Sequence, residues 1–79
     1  MVIREKVIEI FADVMMFPRE KIRDNFTSIE MEDWDSLGHL SLIQRLDDVF
    51  NNISSRQKQL ASAQTVGEVI NIVISDQQK

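Results

Sequence analysis

Three stretches of this chain place apolar residues every three or four positions, and only two glycines and one proline interrupt its 79 residues. That period is the signature of amphipathic helices. Ile3, Val7, Ile10 and Val14, widened by Phe11, predict a helix over residues 2–16. Leu40, Ile43, Leu46 and Phe50 form the stripe of a second helix over 36–50, with Leu37, Leu42 and Val49 outside it. Val66, Val69, Ile70 and Val73 predict a last helix from 66 to about 75, opened by the capping box of Thr65 and Glu68. Residues 54–62 are polar apart from Leu60 and Ala61 and predict one short helix. The expected fold is therefore all-α. It is a small four-helix bundle of three longer helices and one short helix with a long first loop, in a single domain over residues 1–79.

The breaks are as informative as the helices. Phe17-Pro18 must end the first helix, because proline lacks an N–H and disfavours α geometry in the residue before it. From Pro18 to Asp35 no helical period survives, and Ile22, Phe26, Ile29 and Met31 are spaced like anchors pinning a loop to a core. Connections this long inside a compact domain are usually functional or disordered, and buried anchors favour function. The loop ends in Glu30-Met31-Glu32-Asp33-Trp34-Asp35, in which four of six residues are carboxylates. Asp35 is a good N-cap for the second helix, Asn51-Asn52 suit its end, and the polar residues Asp76 to Lys79 are expected to fray.

Size and charge exclude several functions. A chain this short buries only roughly 60% of its unfolded surface, leaving little room for an enclosed catalytic cleft. Its net charge is −4. Residues 1–50 carry six Lys/Arg against eleven Asp/Glu, while residues 51–79 carry Arg56, Lys58 and Lys79 against Glu68 and Asp76. An acidic domain without a basic stripe is a poor nucleic-acid reader, so basic protein partners fit better. No apolar run approaches the roughly 18 residues of a membrane span. The carboxylates lack the glycine and spacing of an EF-hand loop, so no metal is expected. With no cysteine, any thiol chemistry must come from an attached group. A cytoplasmic monomer is expected.

The order of helix, long anchored loop, Asp35-Ser36-Leu37 at a helix start, short polar helix and capped final helix resembles the acyl carrier protein family over nearly the whole chain. The segment Trp34-Asp35-Ser36-Leu37-Gly38-His39-Leu40 carries the resemblance most closely. It implies that Ser36 bears a covalent 4'-phosphopantetheine arm, derived from coenzyme A, whose thiol carries acyl groups as thioesters. Asp35 and Leu37 flank the attachment point. The implied partners are a phosphopantetheinyl transferase and acyl-loading and acyl-processing enzymes of fatty acid or polyketide biosynthesis with basic docking surfaces, and the chain itself is then no enzyme. A helix start suits a phosphodiester, since its unpaired N–H groups and dipole attract anions. Aminoacyl or peptidyl carriage, and a non-carrier helical adaptor for other proteins, are the alternatives. A catalytic role for Ser36 is disfavoured, because the one histidine lies three residues away on the same helix and no orienting group is evident.

Around Ser36 the residues admit two readings each. Leu37 is an exposed contact beside the arm or is partly buried under the loop. Gly38, which costs a helix about 1 kcal/mol relative to alanine, either leaves room for a modifying enzyme or arm, or eases loop packing. Trp34 is a core anchor or a partly exposed recognition residue. His39 is a partner contact, of the residue type that changes charge near neutral pH, or an ordinary surface residue. Asp47 and Asp48, with Glu30, Glu32, Asp33 and Asp35, are candidates to meet basic partner surfaces. The family's second helix is commonly rich in acids, whereas this one carries Gln44 and Arg45 beside Asp47 and Asp48. That departure points to a specialised carrier rather than a general fatty-acid one.

Overall fold

A computed structural model describes residues 2–78. Four α-helices occur among them: α1 (Ile3–Met15), α2 (Ser36–Val49), α3 (Ile53–Arg56) and α4 (Val66–Gln77). The helix α1 packs against both α2 and α4. Its buried stripe is Val7, Ile10, Phe11 and Met15, while Ile3 and Val14 are half-buried at its margins. The helix ends at Met16, which adopts a left-handed conformation (φ 52°) and, like Phe17, donates its N–H to the carbonyl of Ala12. This closure precedes Pro18 by two residues and gives the Ala12 carbonyl of the last turn two donors.

Between α1 and α2 the chain makes one 3₁₀ turn, Arg19–Lys21, and otherwise irregular turns, as its lost periodicity predicts. Ile22 and Met31 are buried, and Phe26 is half-buried with its ring edge-on to Phe17 at 5.9 Å. Ile29 is no anchor: it is 88% exposed. Thr27 and Glu30 close a tight turn beneath it. The Thr27 amide and hydroxyl donate to Glu30 Oε1, the Ile29 amide donates to Thr27 Oγ1, and Thr27's carbonyl accepts from Glu30 and Met31. With backbone and side chains satisfied within the turn, Ile29 points outward. The Thr27 amide and hydroxyl hold the Glu30 carboxyl below its usual range.

The loop also supplies the start of α4. Gly67 donates its N–H to the carbonyl of Asp24 (2.8 Å) and Val66 to that of Phe26 (3.1 Å). Thr65 Oγ1 accepts from the Glu68 amide at 3.1 Å, as the capping box predicts, while the Glu68 carboxylate reaches the Gln64 amide (3.4 Å) rather than that of Thr65. Arg4 on α1 clamps the Asp24 carboxylate with both terminal nitrogens. One short segment thus ties α1, the loop and α4 together.

The second helix is rotated relative to its expected stripe. Leu42 and Leu46 are buried, followed by Phe50 just past the helix, whereas Leu40 is 55% exposed. At 100° per residue Leu40 stands about 120° from Leu46 and Leu37 about 180° away. The face that meets the core is His39, Leu42, Ile43 and Leu46, so Leu42 belongs to the core and Leu40 does not.

After α2, Asn51 and Asn52 both take positive φ (55° and 60°), turning the chain as the expected stop residues. The short helix predicted over 54–62 is split. It comprises α3 and a 3₁₀ turn, Lys58–Ser62, separated at Gln57, and Ile53 and Leu60 plug both pieces into the core. The expected fraying at the C-terminus is not observed at Asp76 and Gln77, which are helical. Asp76 is buried and receives Arg56 Nε (3.1 Å), Arg56 Nη2 (3.0 Å) and Gln57 Nε2 (3.1 Å). Arg56 also donates to the carbonyls of Phe50 and Asn51, closing the corner between α2, α3 and α4. Its guanidinium, then Gln57, holds the Asp76 carboxyl far below the ordinary carboxylate range. Lys79 lies outside the described residues.

Candidate functional site

Ser36 is the first residue of α2 and is exposed. Its position follows from the two residues before it. Trp34 is buried, edge-on to Phe11 with ring centroids 5.0 Å apart, and its amide donates to the Met31 carbonyl at 2.9 Å. The loop is thereby anchored to α1 immediately before the helix begins, and Trp34 is a core anchor. Asp35 takes extended geometry and caps the helix: its Oδ1 accepts from the Gly38 amide at 2.8 Å, and its carbonyl from the His39 amide at 2.8 Å. Of the first-turn N–H groups, those of Ser36 and Leu37 have no intrahelical acceptor by the geometry of an α-helix.

Gly38 explains why this start is so close to the loop. A Cβ there would lie 1.8 Å from the carbonyl oxygen of Asp33. The backbone of the acidic loop rests on the first turn of α2 where the glycine leaves no side chain. Of its two readings, close loop packing is what the geometry displays.

His39 lies one turn into α2 and is half-buried. The Trp34 indole N–H donates to its Nδ1 at 2.9 Å, and its Nε2 lies 2.9 Å from the carbonyl oxygen of Leu60. The indole and imidazole planes are within 8° of each other with centroids 6.1 Å apart, the arrangement of an in-plane N–H···N bond. Both nitrogens of this candidate partner contact are engaged inside the molecule.

Two open grooves meet at Ser36. One runs between the loop and the 3₁₀ turn, past Thr27, Ile29, Trp34 and Gln64. The other runs between α2 and α3, past Leu40, Ile43, Ser54 and Lys58. Ser36, His39 and Ala61 line both. Leu37 is 76% exposed, so the rim of the site carries three outward apolar side chains, Ile29, Leu37 and Leu40. Anchor-like spacing in the loop assigns Ile29 to the core and helical periodicity assigns Leu40 to it, yet both are exposed, and Ser54 and Lys58 carry no signal in the sequence. Only their position across the groove from α2 brings them to the site.

The expected site residues fall into two groups. Ser36, Asp35, Leu37 and His39 share the first turn of α2, while Asp47 and Asp48 lie near its other end, about 18 Å along the axis at 1.5 Å per residue. Asp47 is occupied: its carboxylate accepts from the Ser54 amide and hydroxyl, both at 2.8 Å, and caps α3. Asp48 is exposed. Arg45 pairs with Asp13 on α1 at 3.6 Å. Among the described residues no group of carboxylates or histidine is arranged to hold a metal ion, and no helix is long and apolar enough to cross a membrane. No family model, curated protein or solved structure matches the chain.

Proposed function

We propose that the protein is an acyl carrier: Ser36 is the attachment point of a 4'-phosphopantetheine arm, and the folded domain presents that arm to enzymes acting in succession. The observation that carries the reading is the placement of an exposed serine as the first residue of a capped helix, where two grooves meet and a buried tryptophan fixes the preceding loop. The sequence resemblance to acyl carrier proteins around Trp34 to Leu40 supports it. An exposed hydroxyl gives a transferase access, and the amides of Ser36 and Leu37 face a phosphodiester with the positive end of the helix dipole behind them. Asp35 is held by the Gly38 amide, so its carboxylate serves the helix.

In the modification, the Ser36 oxygen forms a bond to the phosphorus of coenzyme A that bears pantetheine. The P–O bond to the nucleotide portion breaks, that portion leaves as adenosine 3',5'-bisphosphate, and the serine proton passes to a base of the transferase. The arm supplies the thiol that this cysteine-free chain lacks, and that thiol carries the acyl group. Ser36 is then an anchor and takes no part in chemistry on the cargo. The domain acts as a cytoplasmic monomer, and its partners are the transferase and the loading and processing enzymes of one pathway. A phosphopantetheinyl transferase and coenzyme A should add one phosphopantetheine mass to the wild type and none to Ser36→Ala. An unmodified wild type, or addition that survives Ser36→Ala, overturns the proposal.

A second reading rests on the exposed Ile29, Leu37 and Leu40: an adaptor that binds other proteins through this apolar rim, with Ser36 only a helix residue. It differs in one outcome, since Ser36→Ala would then keep full activity in cells.

A further inference from the structure

Among the described residues, His39 is the one side chain that bonds to both walls of the Ser36 site. Its protonation pattern follows from its neighbours. The Trp34 indole nitrogen can only donate, so Nδ1 must present its lone pair. The proton of the neutral ring then sits on Nε2 and is donated to the Leu60 carbonyl. The ring therefore spans from the end of the long loop to the 3₁₀ turn Lys58–Ser62 while its backbone belongs to the first turns of α2. With Ser36 and Ala61 it lines both grooves. A leucine of similar bulk would fill the space and make neither bond.

We propose that His39 is a positioning residue for the modification of Ser36. It holds the Trp34 loop and the Leu60 turn at a fixed separation on either side of the serine, so that a transferase meets one preformed surface. The proposal rests on the carrier reading. It assigns His39 no contact with coenzyme A and no proton transfer, because both ring nitrogens are bonded within the domain. Its effect is on the shape of the surface the transferase recognises, so its loss raises the KM for the carrier and leaves kcat unchanged.

The test is the rate of phosphopantetheine addition, followed by mass spectrometry at several carrier concentrations and at a temperature where circular dichroism shows each variant folded. His39→Leu, which loses both bonds, should raise KM about tenfold, equivalent to about 1.4 kcal/mol over the two hydrogen bonds. His39→Gln, whose amide offers an acceptor and a donor at similar spacing, should recover most of the loss. Arg56→Met removes the clamp at the far end of α2 and should load with the wild-type KM despite lower stability. The Trp34 indole proton should move upfield in the spectrum of His39→Leu as its hydrogen bond is lost. If His39→Leu does not fold, His39→Asn replaces it: the shorter amide keeps an acceptor for Trp34 but cannot reach Leu60, and its KM should rise severalfold. A folded His39→Leu or His39→Asn with the wild-type KM, or a His39→Gln as impaired as His39→Leu, overturns the proposal while leaving the carrier reading intact. A wild type that is never modified overturns both.

Discussion

Replacing Gly38 by alanine should destabilise the domain, although the same change at most exposed helical glycines is stabilising. Alanine is favoured over glycine in a helix by about 1 kcal/mol. At Gly38 the added Cβ would lie 1.8 Å from the Asp33 carbonyl oxygen. Close C···O contacts run at about 3.3 Å, so backbone must move by about 1.5 Å to admit the methyl group. Forcing an extra carbon into a packed site costs about 1–3 kcal/mol. Displacing Asp33 also pulls on Trp34, whose amide and indole bonds to Met31 and His39 contribute about 1 kcal/mol each. The net expectation is a loss of about 1–3 kcal/mol, a fall in Tm of about 5–20 °C for a domain of this size. Gly67→Ala is the matched control. Its Cβ would lie 3.2 Å from the Asp24 carbonyl oxygen, a shortfall of a few tenths of an ångström that the helix-propensity gain offsets. That variant should stay within about 1 kcal/mol of wild type. Thermal unfolding by circular dichroism, repeated by urea titration of Trp34 fluorescence, measures both. Gly38→Ala as stable as the wild type would refute the close approach of the loop to α2.

Three further outcomes follow from the same structure. Leu42→Ala should cost about 2–5 kcal/mol in chemical unfolding and Leu40→Ala within about 0.5 kcal/mol of nothing, which separates the observed phase of α2 from the one its apolar stripe implies. Asp76 has a folded-state pKa held below its unfolded value, so its contribution is complete above the unfolded value near 3.9 and disappears as pH falls towards the folded one. The stability of Asp76→Asn should accordingly fall less steeply than that of wild type in urea titrations between pH 5 and pH 2. Thr65→Ala should lose about 1 kcal/mol with the α4 cap, Thr65→Asp should retain it, and hydrogen exchange at Val66 to Glu68 should quicken only in the former.

The phase of α2 illustrates where sequence reading stops. Leu46 belongs both to the stripe of Leu40, Ile43 and Phe50 and to the buried face of Leu42, and counting apolar residues favours the longer series. The position that decides between them is His39, a polar residue that occupies the core-facing side because Trp34 and Leu60 satisfy both its nitrogens. Asp76 misled in the same way, since a terminal carboxylate is expected in solvent until a guanidinium some twenty residues away in sequence is known to reach it. Helix existence, the long loop, the Asp35 cap, the Thr65 cap and the placement of Ser36 at a helix start were legible because each depends on neighbours in sequence. The Thr27 and Glu30 turn had the same legible spacing as Thr65 and Glu68, and heeding it would have removed Ile29 from the core.

The charge of the chain likewise changes meaning once partners in space are known. Arg4, Lys6, Arg45 and Arg56 are each paired with a carboxylate, which offsets the charge of Asp24, Glu9 and Asp13 at the surface and of the buried Asp76. Asp35 and Asp47 face helix starts. The exposed acids near Ser36 are Glu30, Glu32 and Asp33 on the loop and Asp35 at the helix start, and Asp48 lies near the far end of α2. Between them the outer face of α2 presents Leu37, Leu40, Ser41 and Gln44, with Arg45 bonded to Asp13. A protein docking along α2 meets apolar surface in its first turns, beside Ser36, polar side chains at its middle and negative charge towards both ends. Exposed charges of this kind mainly accelerate encounter and are screened by salt, whereas buried apolar contact lengthens the life of the complex. Leu37→Ser should thus raise the dissociation rate of such a partner, whereas Glu32→Gln with Asp33→Asn should lower its association rate at low salt and change little at high salt. Equal salt sensitivity of the charge-neutralised variant and the wild type, measured by stopped-flow binding, would contradict this division of labour.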